Sequence, residues 1–251
     1  MPEFGERNAQ KRAGEAASAA AALPLLLEVV PGVRSLVQVG FGGGEWLAEA
    51  RRLGVPEVHG IDGPWATLDG LVVAPDEVTI VDTRQRFDAG GRTFDLAVCV
   101  EYAEHLPDAR AASFVADLTK LAPVLAFSAA IPGQGGLGHV NEQWPAYWQA
   151  HFAAVGYRLV DAVRRRLWTA PGGPAYLAQN LFLAVSEQRL SDYPRLAELA
   201  ARDDSVEALS LVHPAIYEQK LRRLARPAAP GVRPAARSLL RAVAHSARRR
   251  G

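Results

Sequence analysis

Short apolar runs rich in Val, Ile, Leu and Ala recur along this chain, separated by stretches with helical spacing or by clusters of Gly and Pro. Residues 35–40 form the first run and predict a strand. Further strands are predicted over 57–61, 78–82, 93–100, 123–130, 157–163 and 181–185. The run Thr93-Phe-Asp-Leu-Ala-Val-Cys-Val100 is almost continuously apolar, as a parallel strand covered on both faces must be. Helical spacing fills the intervals 44–53, where Trp46, Leu47 and Ala50 share a face, and 108–121. Asn141 is placed to N-cap a further helix, whose Trp144, Trp148 and Phe152 fall at i, i+4 and i+8. That stripe reads first as core and second as a ligand platform. Residues 63–76 are irregular, with Gly63-Pro64 and Pro75-Asp76 as turn signals. Strands alternating with helices predict an α/β fold built on a doubly wound, mostly parallel, seven-stranded Rossmann-like sheet.

Helical extensions flank this pattern at both ends. Residues 6–30 read as a helix, polar first and apolar later, stopped at Pro31-Gly32. Residues 188–251 read as helical and increasingly basic, broken by Pro227, Pro230 and Pro234. The expected organisation is an N-terminal extension over 1–33, the main domain over 34–187 and a basic C-terminal extension over 188–251. A chain of 251 residues with 49% apolar content can bury a full core. Its net charge of +1 gives no strong field toward nucleic acid. The single cysteine, Cys99, lies in a predicted strand; it excludes an internal disulfide framework and a Cys-rich zinc site, and it fits a reducing, cytoplasmic setting. Lys11 and Arg12 ahead of residues 16–27 loosely imitate a secretion signal, but Glu15, Pro24 and Glu28 interrupt it. The tail over 237–249 sets Arg237, Arg241, Arg248 and Arg249 among Leu239, Leu240 and Val243. It reads as a solvated or packing helix, with contact to an anionic membrane as the second reading.

The chemistry concentrates at the ends of the strands. In Ser35-Leu-Val-Gln-Val-Gly-Phe-Gly-Gly-Gly-Glu45 a strand runs into a glycine turn that opens a helix, and Asp62 ends the next strand. This is the layout of a nucleotide-type cofactor site, where glycines let the backbone approach the ligand and an acid takes a ribose hydroxyl pair. Glu101-Tyr-Ala-Glu-His105 follows the fourth strand, and His139 with Asn141-Glu-Gln143 follows the fifth. In a doubly wound sheet those strands are neighbours and ligands bind outside their carboxyl ends, so the two loops should converge over the cofactor's reactive end.

Together, the glycine turn, Asp62, Asp82 and Phe94-Asp-Leu-Ala-Val-Cys-Val-Glu-Tyr-Ala-Glu-His-Leu-Pro107 resemble class I S-adenosylmethionine-dependent methyltransferases over residues 35–186. The segments 129–148 and 178–185 are similar to a bacterial subgroup associated with glycan and natural-product gene sets. The resemblance implies S-adenosylmethionine as cofactor, with Gly40, Gly42 and Gly44 around its methionine part. It implies Asp62 on the ribose, Asp82 with Thr83 at the adenine amino group, and Glu101 within the cofactor site. Trp65 could stack on the adenine or anchor the irregular segment. Where the family usually carries Asp two residues before the first glycine, this chain has Gln38, which can hydrogen-bond but bears no charge.

Three readings of the convergent loops remain open. His105 or His139, with Glu104, acts as a general base or acid. Alternatively, Glu101, Glu104, His105 and His139 ligate Mg²⁺ or another divalent cation, as the Glu-x-x-Glu-His pattern resembles metal-dependent members of the superfamily. Or the cluster is structural. The leading expectation is an O-methyltransferase acting on a hydroxyl of a sugar or glycosylated small molecule. N-methylation of an amino sugar or small amine, and a non-catalytic methyltransferase-like module, are the alternatives. The partner is a small-molecule or saccharide acceptor and not nucleic acid, since no basic stripe lies outside the tail. The extensions are expected to cap the acceptor side or to form a homodimer. His59 reads as packing near the cofactor loop, His151 as a helix-surface residue and His213 as a turn residue. Tyr147 and Trp168 are candidates for an acceptor pocket.

Overall fold

Seven strands form one sheet in a computed structural model that describes residues 2–170, 174–202 and 209–225, without the side chains of residues 2–11, 223 and 225. Helix α1 (Pro2–Val29) leads into β1 (Ser35–Val39), α2 (Glu45–Arg52) and β2 (Glu57–Asp62). Then come β3 (Val78–Ile80), β4 (Leu96–Val100), α3 (Ala111–Leu118), β5 (Val124–Ser128), α4 (Pro145–Ala153) and β6 (Tyr157–Val160). Two short helices, α5 (Arg164–Thr169) and α6 (Ala175–Asn180), precede β7 (Phe182–Ser186), and α7 (Pro194–Ala200) and α8 (Pro214–Ala225) complete the described chain. The strand order is β3-β2-β1-β4-β5-β7-β6. All neighbours are parallel except β7, which runs antiparallel to both β5 and β6. The order reverses between β1 and β4, which opens a crevice at their carboxyl ends.

Alternation along each strand divides the core between the two sheet faces. Leu36, Val98 and Ala126 point to one face and pack with Leu23 and Leu26 of α1 and Trp46 and Leu47 of α2. Val37, Val39, Cys99 and Phe127 point to the other and pack with Phe114 and Leu118 of α3 and Trp148 and Phe152 of α4. On α1, Ala19, Ala22, Leu23 and Leu26 form the buried stripe, each leucine worth about 1.5–3 kcal/mol of burial. The N-terminal extension is thus part of the main core, and the described residues up to Ile216 form one compact unit. The second unit comprises Tyr217–Gly251, of which residues 217–225 are described and helical. Among the described residues no helix is long and apolar enough to cross a membrane. The basic tail at 237–249, and with it the membrane reading, lies outside the described residues.

Three local expectations need correction. Asn141 does not cap α4: the helix starts at Pro145, whose fixed φ suits the first helical position, and Trp144 stands at the cap. Asn141 instead lies buried, its N–H donating to the Glu104 carbonyl at 3.0 Å. The aromatic stripe consequently loses Trp144, which is 40% exposed, while Trp148 and Phe152 are core. Residues 161–163, expected to continue a strand, instead lead into α5, and β6 ends at Val160.

Candidate functional site

A cavity of about 830 Å³ occupies the crevice, within the range for binding drug-sized ligands. Its floor is the glycine turn after β1. Gly40, Gly42 and Gly44 have φ of 81°, 58° and 88°, in the left-handed region where a Cβ is strained. Gly40 carries a second constraint, because a Cβ there would run into the ring of Tyr102. At Gly42 nothing lies within 4 Å of such an atom. Gly40→Ala should therefore lower unfolding free energy by about 1–3 kcal/mol, more than Gly42→Ala does. Urea unfolding of the two variants checks the order; equal losses would mean that Tyr102 yields freely.

Asp62, at the end of β2, faces this turn. Its Oδ2 accepts the Gly42 N–H at 3.3 Å, and its Oδ1 accepts the Gly63 N–H at 2.7 Å and the Tyr102 hydroxyl at 3.1 Å. Since Tyr102 donates to Asp62, the Thr83 hydroxyl at 2.8 Å donates to Tyr102. Burial, then the Asp62 charge, pushes the Tyr102 phenol well above its ordinary pKa, so it stays a donor. Arg110, itself buried, donates to the backbone oxygens of Thr83 at 3.1 Å and Gln85 at 2.7 Å and to Asp117 at 2.7 Å, fixing the loop that carries Thr83. Gln38 is 3% exposed and lines the cavity; its Nε2 donates to the Gly40 carbonyl at 3.2 Å while its Oε1 has no hydrogen-bond partner. Helix α1 adds Arg12 and Glu15 to the lining, tied to α2 by Arg12–Glu45 at 2.7 Å and by the Trp46 indole N–H on Glu15 at 3.3 Å.

After β4, Glu101 has φ of 46°, the one positive value outside glycine among the described residues. Its N–H donates to the Ser128 carbonyl at 3.1 Å and to Ser128 Oγ at 3.0 Å. Its carboxylate accepts from Ser128 Oγ at 2.9 Å, Gln134 Nε2 at 2.7 Å and Asn180 Nδ2 at 3.0 Å. Burial raises the Glu101 pKa above its ordinary value, while the three donors act against that rise.

The glycine-rich loop after β5 is folded around Glu142. This carboxylate accepts the N–H groups of Gly133 at 2.7 Å and Gly135 at 2.6 Å, and His139 Nδ1 lies 2.9 Å from Oε1. Burial would raise the Glu142 pKa, but the His139 ring and the Gly135 and Gly133 N–H groups outweigh it and hold the carboxyl low. A low carboxyl accepts, so Nδ1 carries a proton toward Glu142, and in the neutral ring the Nε2 lone pair is the one left for a partner. His105 stands edge-on to His139 at 4.9 Å between ring centres, its Nδ1 3.2 Å from the Gly138 carbonyl. Glu104 is fully buried and 3.9 Å from His139 Nε2, and neither of its oxygens has a hydrogen-bond partner. Its pKa is pushed up to about 9 by burial first and by the nearby Glu101 charge second. Glu104, His105 and His139 each offer an atom within 4.8 Å of the others'. Glu101 lies outside that group.

Of the expected site residues, Gln38, Gly40, Gly42, Asp62, Trp65, Glu101, His105 and His139 line the cavity. Gly44 lies behind the turn as the N-cap of α2. Thr83 is buried beneath Tyr102, and Asp82 turns outward to Arg84 at 2.8 Å. Trp65 is half exposed; its ring lies against Gly63, with the Arg84 guanidinium 5.1 Å from its centre. His59 packs on Phe94, and burial lowers its pKa. Tyr147 bonds Asp108 at 2.6 Å and stacks edge-on with His151, Trp168 packs on His213, and none of these lines the cavity. Sequence reasoning gave no role to Tyr102, Gln134, Gln179 and Asn180, which lie within the quoted segments but meet the site only through the fold.

No protein-family model matches the sequence, and no curated protein matches it. Solved structures do match by fold. The sugar N-methyltransferase KedS8 from a Streptoalloteichus species superposes with a TM-score of 0.54 at 21% identity, over 74% of this chain and 92% of that one. Streptomyces venezuelae DesVI superposes with a TM-score of 0.51 at 17% identity, over 68% of this chain and 91% of that one. Strand order, the glycine turn at the β1–β4 crevice and the superposition on KedS8 agree: the chain has the Rossmann-like fold of class I S-adenosylmethionine-dependent methyltransferases.

Proposed function

We propose that this chain catalyses methyl transfer from S-adenosylmethionine to a hydroxyl group of a sugar or glycosylated small molecule. The observation that carries the reading is the His139–Glu142 pair at one wall of a cavity whose other wall is the glycine turn and Asp62. A neutral hydroxyl needs a base to become a competent nucleophile, and an imidazole held by a carboxylate supplies one. The cofactor fits the opposite wall: Gly42 borders open space in the cavity, with nothing within 4 Å of where a Cβ would stand, and Gln38 Oε1 is a buried acceptor awaiting a donor such as an ammonium. When bound, S-adenosylmethionine supplies a methyl group on a positively charged sulfur. Asp62 would receive the ribose hydroxyls, and His139 Nε2 would take the acceptor proton. Methylation of an amine is the second reading, favoured by the sugar N-methyltransferase KedS8 among the fold neighbours.

Glu104, His105 and His139 are also a donor set suited to a divalent cation such as Mg²⁺, since the two Glu104 oxygens are buried with no other partner. A cation there would lower the pKa of a coordinated hydroxyl. Calorimetric titration with S-adenosylhomocysteine, once with EDTA and once with Mg²⁺, tests both statements. One-to-one micromolar binding is expected, and a change with Mg²⁺ would support the cation. Absence of binding in both conditions would overturn the methyltransferase reading.

A further inference from the structure

Glu101 is a carboxylate surrounded by neutral donors. Two of its three hydrogen bonds fall on Oε1, from Ser128 and Asn180, and one falls on Oε2, from Gln134. Among the described residues no Arg or Lys forms a salt bridge with it. One Oε2 lone pair remains, and Glu101 lines the cavity.

The neighbouring amides have a forced polarity. A carboxylate only accepts, so Gln134 and Asn180 turn their NH₂ groups toward Glu101 and their carbonyls away. Both carbonyls accept from Gln179 Nε2, at 3.1 and 3.0 Å. Gln179 Oε1 in turn accepts the backbone N–H of His213 at 2.8 Å, a group that can only donate. The chain of amides is thus fixed at both ends and directs its donors at Glu101. Buried Arg164 clamps it, donating from Nη1 to the backbone oxygens of Gln179 and Leu209, each at 2.8 Å. Such a network is built around a carboxylate, not a carboxylic acid, and among the described residues the charge it preserves is paired with no arginine or lysine; the His139 ring, charged only when protonated, acts on it without a direct bond.

We propose that Gln134, Asn180 and Gln179 are positioning residues that present Glu101 as the counter-charge for the sulfonium of bound S-adenosylmethionine. The inference rests on the cofactor reading above. Glu101 follows β4 at the crevice, between Asp62 on the ribose side and His139 on the acceptor side, where the reactive centre of the cofactor must fall. In the transfer a bond forms from the acceptor oxygen to the methyl carbon, and the carbon–sulfur pair goes to sulfur. The hydroxyl proton goes to His139. Sulfur thereby becomes a neutral thioether. A fixed carboxylate beside it favours the charged donor over the neutral product, so its effect is to sort the two ligands and not to speed the step.

The test is calorimetry on the full chain without acceptor, with S-adenosylmethionine and S-adenosylhomocysteine as probes. The unmodified chain is expected to bind the methyl donor about tenfold more tightly than the product. In Glu101→Gln and Asn180→Leu that ratio should fall toward one, with product affinity changing less than about threefold. Gln179→Glu keeps the side-chain size but cannot donate to Gln134 and Asn180. It should collapse the ratio as well, and it serves where Asn180→Leu does not fold. A ratio near one in the unmodified chain, an unchanged ratio in the variants, or equal weakening of both ligands would overturn the proposal. Failure of the unmodified chain to bind either ligand would instead sink the cofactor reading, and this inference with it.

Discussion

Replacing His139 by Ala is expected to lower hydroxyl methylation by about 10²–10⁴-fold while leaving affinity for S-adenosylhomocysteine unchanged. The split follows from where the ring stands. Its Nδ1 is committed to Glu142 at 2.9 Å, so only Nε2 can take a proton, and it sits on the loop after β5, away from the glycine turn and Asp62. Removing it deletes a base without touching the surfaces that would bind the nucleoside. Glu142→Gln should fall between the two, because the loop keeps an acceptor for one or both glycine N–H groups but the ring loses its charged partner. Conversion of S-adenosylmethionine to the thioether, measured with a glycoside acceptor, reads the effect. Near-normal turnover in His139→Ala would remove the residue from the mechanism. An unprotonated amine attacks through its own lone pair, so survival of amine methylation alongside loss of hydroxyl methylation would assign the two acceptor classes to one pocket.

What could be read from the chain before the fold divides along the range of the interactions. The glycine turn and Asp62 were legible because a strand, a turn and the next strand end lie within one short unit, and the backbone requirement writes itself as glycine. The convergence of the loops carrying Glu101 and His139 was legible from strand adjacency. Tyr102 was not: it joins Gly40, Asp62 and Thr83, contacts made across the sheet by an ordinary aromatic residue. The amides were invisible for the same reason: Gln179 and Asn180 are brought to Glu101 by α6, a helix that the sequence did not disclose, and Gln134 by the loop after β5. Helix α5 opens on Arg164-Arg165-Arg166, a run without amphipathic spacing, of which only Arg164 turns inward, stacking 4.1 Å over Phe182. The direction of β7 was equally hidden, since a buried apolar run looks the same in a parallel or an antiparallel neighbour. Asp82 and Thr83 show the limit at single-residue scale. Both were expected at the cofactor, yet the acid satisfies itself with Arg84 two residues on, and the neighbouring hydroxyl is the one that turns inward.

Glu104 gives the second large effect, in stability. Its carboxyl is fully buried with neither oxygen in a full hydrogen bond, and its pKa of about 9 stands against an ordinary 4.5, the backbone N–H groups of Glu104 and Ala130 acting only partly against the rise. Burial is the main cause, and the charges of Glu101 and then Glu142 add to it. A group whose pKa is raised by folding stabilises the fold fully only below its unfolded value. That contribution is lost as pH rises from about 4.5 through about 9, because the unfolded chain releases the proton first. Glu104→Gln removes the titration and keeps the shape. The variant should gain almost nothing at pH 4, where the wild-type carboxyl is neutral in the folded state and mostly neutral in the unfolded one. Relative to the wild type it should gain on the order of a few kcal/mol by pH 9. Urea unfolding at pH 4, 6, 7.5 and 9 measures the difference, and parallel curves for the two proteins would show that Glu104 ionises normally. The same series with Mg²⁺ present separates the two uses of the cluster: a cation held by Glu104, His105 and His139 would flatten the wild-type decline at high pH, since it binds the ionised carboxylate, and would leave Glu104→Gln unmoved.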